Sequence, residues 1–364
     1  MIARVAIVCA LLGATASASP RRGVVESATS RWAGDMIVTD VVIRAADGTR
    51  TTITEHGGSV EGIGMSVSHR HVPHAGDEVA IDGRTLRMQR PAAAQTTIAH
   101  ATTGIGVQRT SRSGVPLYHP TGCVNFELDA RGSTKLEGEW PAIDAAFAAW
   151  ESASSAMACG GVRFTTQIVQ APEGRDGVNT IHFRDDTWCR PGTIGDPEVC
   201  HSPDAVAVTR VLYVDDPASP RDGEILEVDI DINAVGFTLA TDGRANAIDL
   251  QSAATHEIGH ALGLDHNCGV ENGAWPSDRA GTPVPSCESV TPDLATATMY
   301  VQVVPGDTNM RTPKASDTSD LCNAVGGTCE TEVTGGCSAG ADGAGAGTLL
   351  VGFLALRHRR RRRR

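Results

Sequence analysis

Basic residues are in short supply through most of this 364-residue chain. Residues 19 to 337 hold 23 of them against 42 acidic residues, a net charge of about −19. A body that acidic excludes nucleic acid as a partner, because phosphate binding needs a basic face. The formal charge of −12 for the whole chain hides this, since seven arginines crowd the last eight positions (Arg357 and Arg359 to Arg364). Aromatic residues are scarce too, at 4%. Long apolar runs are missing: Val5 to Gly13 and Thr348 to Leu356, near the two ends, are both too short for a permanent membrane span. No cysteine occurs between residues 19 and 122, so that part folds without disulfides of its own. No internal repeat is visible.

What is present starts with a leader. Arg4 supplies a charged start, Val5 to Gly13 an apolar core, and Ala16-Ser17-Ala18 a small-residue cleavage site, which together predict a secretory signal over residues 1–18. Export makes the cysteines meaningful. Apart from Cys9 and Cys337 there are eight: Cys123, Cys159, Cys189, Cys200, Cys268, Cys287, Cys322 and Cys329. An even count in an oxidising compartment predicts up to four disulfides. Pairing is not deducible from spacing, but local closure favours 189–200, 268–287 and 322–329.

Residues 19–90 alternate apolar and polar side chains in short runs (DMIVTDVVIR, RTTITEHGG, VEGIGMSVSH, DEVAID) and predict a small all-β domain. Residues 91–112 show no sustained period and read as a linker. From residue 113 the texture is mixed. CVNFELD, VRFTTQIV, VNTIHF, AVAVTRVLYV and EILEVDIDIN read as strands. WPAIDAAFAAWESAS, with Ile143, Phe147 and Trp150 at helical spacing, and DLQSAATHEIGHALG, capped by Asp249, read as helices. Strand and helix in this order indicate an α+β or α/β layered domain.

The second helix carries the chemistry. In HEIGHALGLDH, His256 and His260 are four apart and share a helix face, so both imidazoles can reach one zinc ion. Gly263 can end the helix in the left-handed region and return His266 as a third ligand. Three nitrogens leave the fourth zinc position open, as a catalytic site requires. Glu257, on the adjacent flank, is placed to serve as general base toward a water made acidic by the metal. The implied reaction is peptide-bond hydrolysis without a covalent intermediate.

These residues resemble the matrixin-like metzincin zinc metallopeptidases, whose HExxHxxGxxH pattern is met at every position. The resemblance implies an α+β catalytic domain over 113–325, with a twisted mixed sheet, an active-site helix and a backing helix. It also implies one catalytic Zn2+, a methionine turn at Met299 in TATMYVQ, and a protein or peptide substrate laid on the edge strand AVAVT. AIDAAFAAW resembles the family's first helix and DTSDLC its closing helix. Residues 267–298 are read as an insertion held by Cys268 and Cys287, and Tyr300 is not counted as a ligand. His182 and His201 lack the pattern of a second, structural zinc, so none is expected. Ca2+ is a further cofactor the resemblance allows, with Asp185, Asp186 and Asp196 as its acidic stretch. The cysteine that imposes latency in many relatives has no counterpart in residues 19–122. Either the N-terminal domain is not an inhibitory prodomain, or it plugs the zinc with Asp or His. The stretch HRHVPH (His69, His71, His74) could plug the zinc or bind metal; the reading favoured is a solvated loop.

The C-terminal end is tripartite: GGCS with Cys337 in a Gly-rich linker (326–347), the apolar run, and the arginine cluster (348–364). It resembles the sorting signal of myxobacterial surface proteins, in which Cys337 would be the processing and anchoring position and the arginines hold the tail on the cytoplasmic side. The expectation is a secreted zinc endopeptidase displayed at the outer membrane or released, with the membrane as a partner only through this signal. The alternative is a non-catalytic adhesion or binding protein on the same zinc-bearing scaffold; a self-processing maturation enzyme is a third reading.

Overall fold

A computed structural model of the chain describes residues 21–82, 85–88, 107–155, 157, 161–192, 198–270, 275–277, 282–319, 321–327 and 329. The leader, residues 89–106, Cys337 and the C-terminal segment lie outside them. Seven strands come first: β1 (Arg21–Ala33), β2 (Met36–Ala45), β3 (Arg50–His56), β4 (Gly58–Val60), β5 (Ile63–Val67), β6 (Glu78–Asp82) and β7 (Thr85–Met88). Five of them make an antiparallel sheet in the order β3-β2-β1-β6-β7. Its alternating residues Val25, Val41, Ile43, Ile53 and Val79 bury one apolar face.

The other two strands lie outside this sheet, though within the small β-rich domain expected at 19–90. β4 and β5 join a second sheet, built from β8 (Cys123–Asp129), β9 (Arg163–Val169), β10 (Thr180–Arg184), β13 (Ala207–Val214) and β14 (Ile225–Asn233), in the order β4-β5-β13-β14-β10-β8-β9. Strands β9, β8, β10 and β14 run parallel, and β13 and β5 are antiparallel to their neighbours. The short pair β11 (Cys189–Arg190) and β12 (Val199–Cys200) lies apart. The expected linker also ends early. From Val107 onward the chain is packed, with Val107 buried and Arg109 N–H bonded to Gly263 O at 2.8 Å.

Helices α1 (Glu139–Ser155) and α2 (Leu250–Ala261) cover one face of this sheet. Alternation along β14 explains the layering. Val228, Ile230 and Ile232 face the helices, while Glu227, Asp229 and Asp231 face the other way. On β13, Val211 packs toward the helices and Val208 and Leu212 toward Met36, Ile37 and Met65 of the N-terminal strands. The outward carboxylates are buried under those strands and are matched by arginines: Arg184 with Asp231, Arg190 with Asp229, and Arg210 with Glu227 and Asp229. Trp150 of α1, fully buried, fixes α2 by donating from Nε1 to Thr255 O at 2.7 Å.

Disulfides 189–200 and 268–287 form as local closure favours. The expected 322–329 pair does not. Cys329 bonds Cys123, 206 residues away, because residues 324–327 lie beside the approach to β8: His119 N–H donates to Ala324 O and Gly326 N–H to His119 O. Cys322 is disulfide-bonded as well. Among the described residues no helix is long and apolar enough to cross a membrane.

Candidate metal centre

Asp249 starts α2 by accepting the Ser252 N–H at 2.8 Å, and Arg311 holds its carboxylate from the side. About two and three turns on, His256 and His260 present their rings to a common point. Gly263 then takes φ +85°, where a Cβ would fall 2.9 Å from Leu117 O, and this turn returns the chain toward the helix. Leu264 N–H closes the turn on Gly259 O at 3.0 Å. His266 arrives beside the other two. The three Nε2 atoms lie 3.1, 3.2 and 3.3 Å apart.

Those distances fit a zinc ion. Zn–N bonds of roughly 2.0–2.1 Å in a tetrahedron put nitrogens about 3.3–3.4 Å apart. The tautomers agree. His256 donates from Nδ1 to Thr298 O at 2.7 Å and His260 from Nδ1 to Leu264 O at 2.9 Å, which leaves each Nε2 lone pair aimed inward. Burial lowers the pKa of all three rings, so they stand as neutral ligands. Converging lone pairs on rings no more than 2% exposed repel one another unless a cation sits between them.

Glu257, also buried, accepts the Thr209 hydroxyl at 2.5 Å, and its other oxygen lies 3.4 Å from His69 Nε2. Burial alone would raise its pKa; the His69 imidazole, then His256 and the Thr209 hydroxyl, outweigh this and hold it at about 2. Met299 lies under the centre, against Gly259. A Cβ on Gly259 would meet the Met299 sulfur, and would stand 2.8 Å from the Trp150 ring, so only glycine lets α2 settle on this floor. Tyr300 turns its hydroxyl toward Cys287 O at 3.5 Å, on the disulfide-held insertion.

Two partners of this constellation escaped the sequence reading. Thr209 is one; its signal was only its place in AVAVT. The other is Asp317, buried, in the stretch read as the closing helix. Its carboxylate accepts the N–H groups of Thr298 and Met299, both at 2.9 Å, and of Lys314 at 2.7 Å, and so fixes the turn whose carbonyl orients His256. Asp317→Ala is expected to lose about 3 kcal/mol of stability, because buried N–H donors are stranded. It should also weaken zinc binding about 10–100-fold, since His256 loses its orienting partner. Urea unfolding and competition with a chromogenic chelator measure the two effects. Zinc affinity within twofold of wild type would remove Asp317 from the centre.

His69 corrects the expectation of a solvated loop. It stands in the centre, with one donor atom each from His69, His256, His260 and His266 within 4.8 Å of one another. His71, His74 and Asp77 also gather donor atoms within that distance, but Asp77 already accepts the His74 backbone N–H at 2.7 Å. His182 and His201 are drawn into the ion network on the far face of the sheet, with Asp129 at 3.1 Å and Asp231 at 3.0 Å. Asp185, offered as a calcium ligand, spends its carboxylate on Ser133 and Thr134, and its carbonyl accepts from Lys135 Nζ. Asp196 lies outside the described residues.

Residues 139–272 match the model of the matrixin family. The match spans α1, β13, whose expected free edge is taken up by β5, and HEIGHALGLDH, and stops before Met299. No curated protein matches the chain. Residues 139–272 are thus similar to the matrixin metallopeptidases, a family whose members bind zinc.

Proposed function

We propose that this chain is a secreted, surface-displayed zinc endopeptidase. The observation that carries the reading is the buried trio of inward-facing imidazoles with a carboxylate beside it and, next to it, β13 with an antiparallel strand already laid along its side. His256, His260 and His266 would hold the ion. Bound there, zinc supplies Lewis acidity, which acidifies water and polarises a carbonyl. Glu257, ionised and steadied by Thr209, takes a proton from the attacking water and passes it to the leaving amine. β13 binds an extended polypeptide by antiparallel strand addition, with main-chain bonds supplying affinity and alternate side chains specificity. Its capacity for such addition is visible in β5, which it already carries. Secretion rests on the leader over 1–18. Anchoring through Cys337 and the arginine cluster rests on the tail's resemblance to a sorting signal.

Cleavage of casein tests the activity. A site for a specific protease is inserted between residues 91 and 106, and the full chain is assayed before and after it is cut there. Cleavage that a zinc chelator stops and added zinc restores is expected after cutting. A zinc-loaded chain inactive on casein and on a peptide library, cut or uncut, would favour a binding protein instead.

A further inference from the structure

We infer that His69 is a fourth ligand of the zinc, and that β5 delivers it by lying on β13 where a substrate would lie. The inference rests on the zinc reading above and concerns how that site is closed. The pairing is continuous. Ile63 faces Val214, Gly64 faces Tyr213, Met65 faces Leu212, Ser66 faces Val211 and Val67 faces Arg210. It extends one residue further, as Ser68 N–H donates to Thr209 O and Thr209 N–H to the Ser68 hydroxyl, both at 2.8 Å. The ladder therefore reaches the residue that holds Glu257. The chain then breaks away at His69, whose φ of +61° is a left-handed conformation that a residue with a Cβ adopts at a cost.

That cost has a local return. The conformation drops the imidazole onto the trio: its ring stacks on His256 with centroids 5.7 Å apart and planes 10° apart, and lies 4.9 Å from His266. Its Nε2 faces Glu257 at 3.4 Å. Three histidines leave one tetrahedral position, and a fourth imidazole fills it. One side chain thus stands over the open metal position and in front of the base, while β5 lies along the side of β13.

The N-terminal strands hold this arrangement without a covalent staple, since residues 19–122 contain no cysteine. Met36, Ile37, Met65 and Val67 pack on Trp188, Val208 and Leu212. Asp35 enters the ion network, 2.7 Å from Arg190 and 3.1 Å from Arg210. Gly64 lets β5 lie flat, because a Cβ there would overlap the Tyr213 ring and stand 2.7 Å from its hydroxyl oxygen.

The test is binding of acetohydroxamate, a small metal chelator, to the full chain loaded with cobalt(II), read in the visible d–d spectrum. His69→Ala should change the spectrum of the resting protein and bind acetohydroxamate at least about tenfold more tightly than wild type, because the ligand no longer competes with an internal one. Gly64→Val should do the same with His69 intact, by lifting β5 from the edge. His71→Ala should match wild type. If His69→Ala does not fold, His69→Gln makes the same comparison. Spectra and affinities that are the same in wild type, His69→Ala and Gly64→Val would overturn the inference and leave the zinc centre standing. A wild-type chain that takes up no metal, or a His260→Ala chain that keeps it, would overturn the zinc reading itself.

Discussion

Glu257→Gln is expected to lower the rate of casein cleavage by the chain cut between residues 91 and 106 by a factor of about 10²–10⁴, the range that a positioned general base contributes. The zinc content should not change. Glu257 is a neighbour of the centre and not part of it: the trio's Nε2 atoms converge without it, and its own oxygens face Thr209 and His69. Glutamine keeps the length of the side chain and its contact with the Thr209 hydroxyl, so stability should move little. What it cannot do is accept a proton at neutral pH. His69 stands against this carboxylate, its Nε2 3.4 Å from Oε1. Displacing β5 removes that imidazole and opens the carboxylate to a water. The Glu257→Gln effect should thus be measured where His69 is displaced. Thr209→Val, which removes the orienting hydroxyl and leaves the base, should cost less, on the order of tenfold. A Glu257→Gln chain that cleaves within threefold of wild type would end the assignment of the base. A chain that loses its zinc with this substitution would show instead that the carboxylate is needed to hold the metal.

How much of this was legible in the sequence follows sequence distance. His256, Glu257, His260 and Gly263 lie within two helical turns, so helix geometry alone places them, and the turn at Gly263 delivers His266 as read. Disulfides 189–200 and 268–287 close short loops, and spacing found both. The same preference for short loops failed at Cys329, whose partner Cys123 is brought near by sheet order. β5 was legible as a strand from the alternation in VEGIGMSVSH. Its partner was not, because alternation records which face is buried and not which edge is met. The role of His69 therefore could not be chosen over a loop histidine: its neighbours in space are 187 to 197 residues away in sequence. Asp317 was hidden differently. Its carboxyl is there to accept from three backbone N–H groups, and no pattern of side chains announces a backbone that needs an acceptor.

Asp231→Asn is expected to cost about 3 kcal/mol of stability at pH 7, and about 1 kcal/mol less at pH 3. Asp231 lies buried on the face of β14 turned away from the helices. Arg184 donates to its Oδ1 from Nε at 2.8 Å, and His201 Nε2 lies 3.0 Å from its Oδ2. Removing one partner of a buried pair usually costs about 3–5 kcal/mol, because the other charge is stranded. Here the lower end applies, since Glu173 also pairs with Arg184 at 2.7 Å and keeps half of its guanidinium matched. The pH dependence has a definite sign. Burial would raise the Asp231 pKa, but Arg184, then His201 and Arg190, override it and hold the carboxyl far below its ordinary value of 3.8. The folded protein therefore binds fewer protons here than the unfolded chain does. Stability from this group is present in full above the unfolded pKa of about 3.9 and drains away as pH falls below it toward the folded value. The asparagine variant has no such proton to take up, so the gap between wild type and variant should narrow in acid. Urea unfolding of both chains at pH 7 and pH 3, with zinc at the same free concentration, measures the gap. A gap of equal size at the two pH values would mean that packing around residue 231, and not its charge, sets the cost.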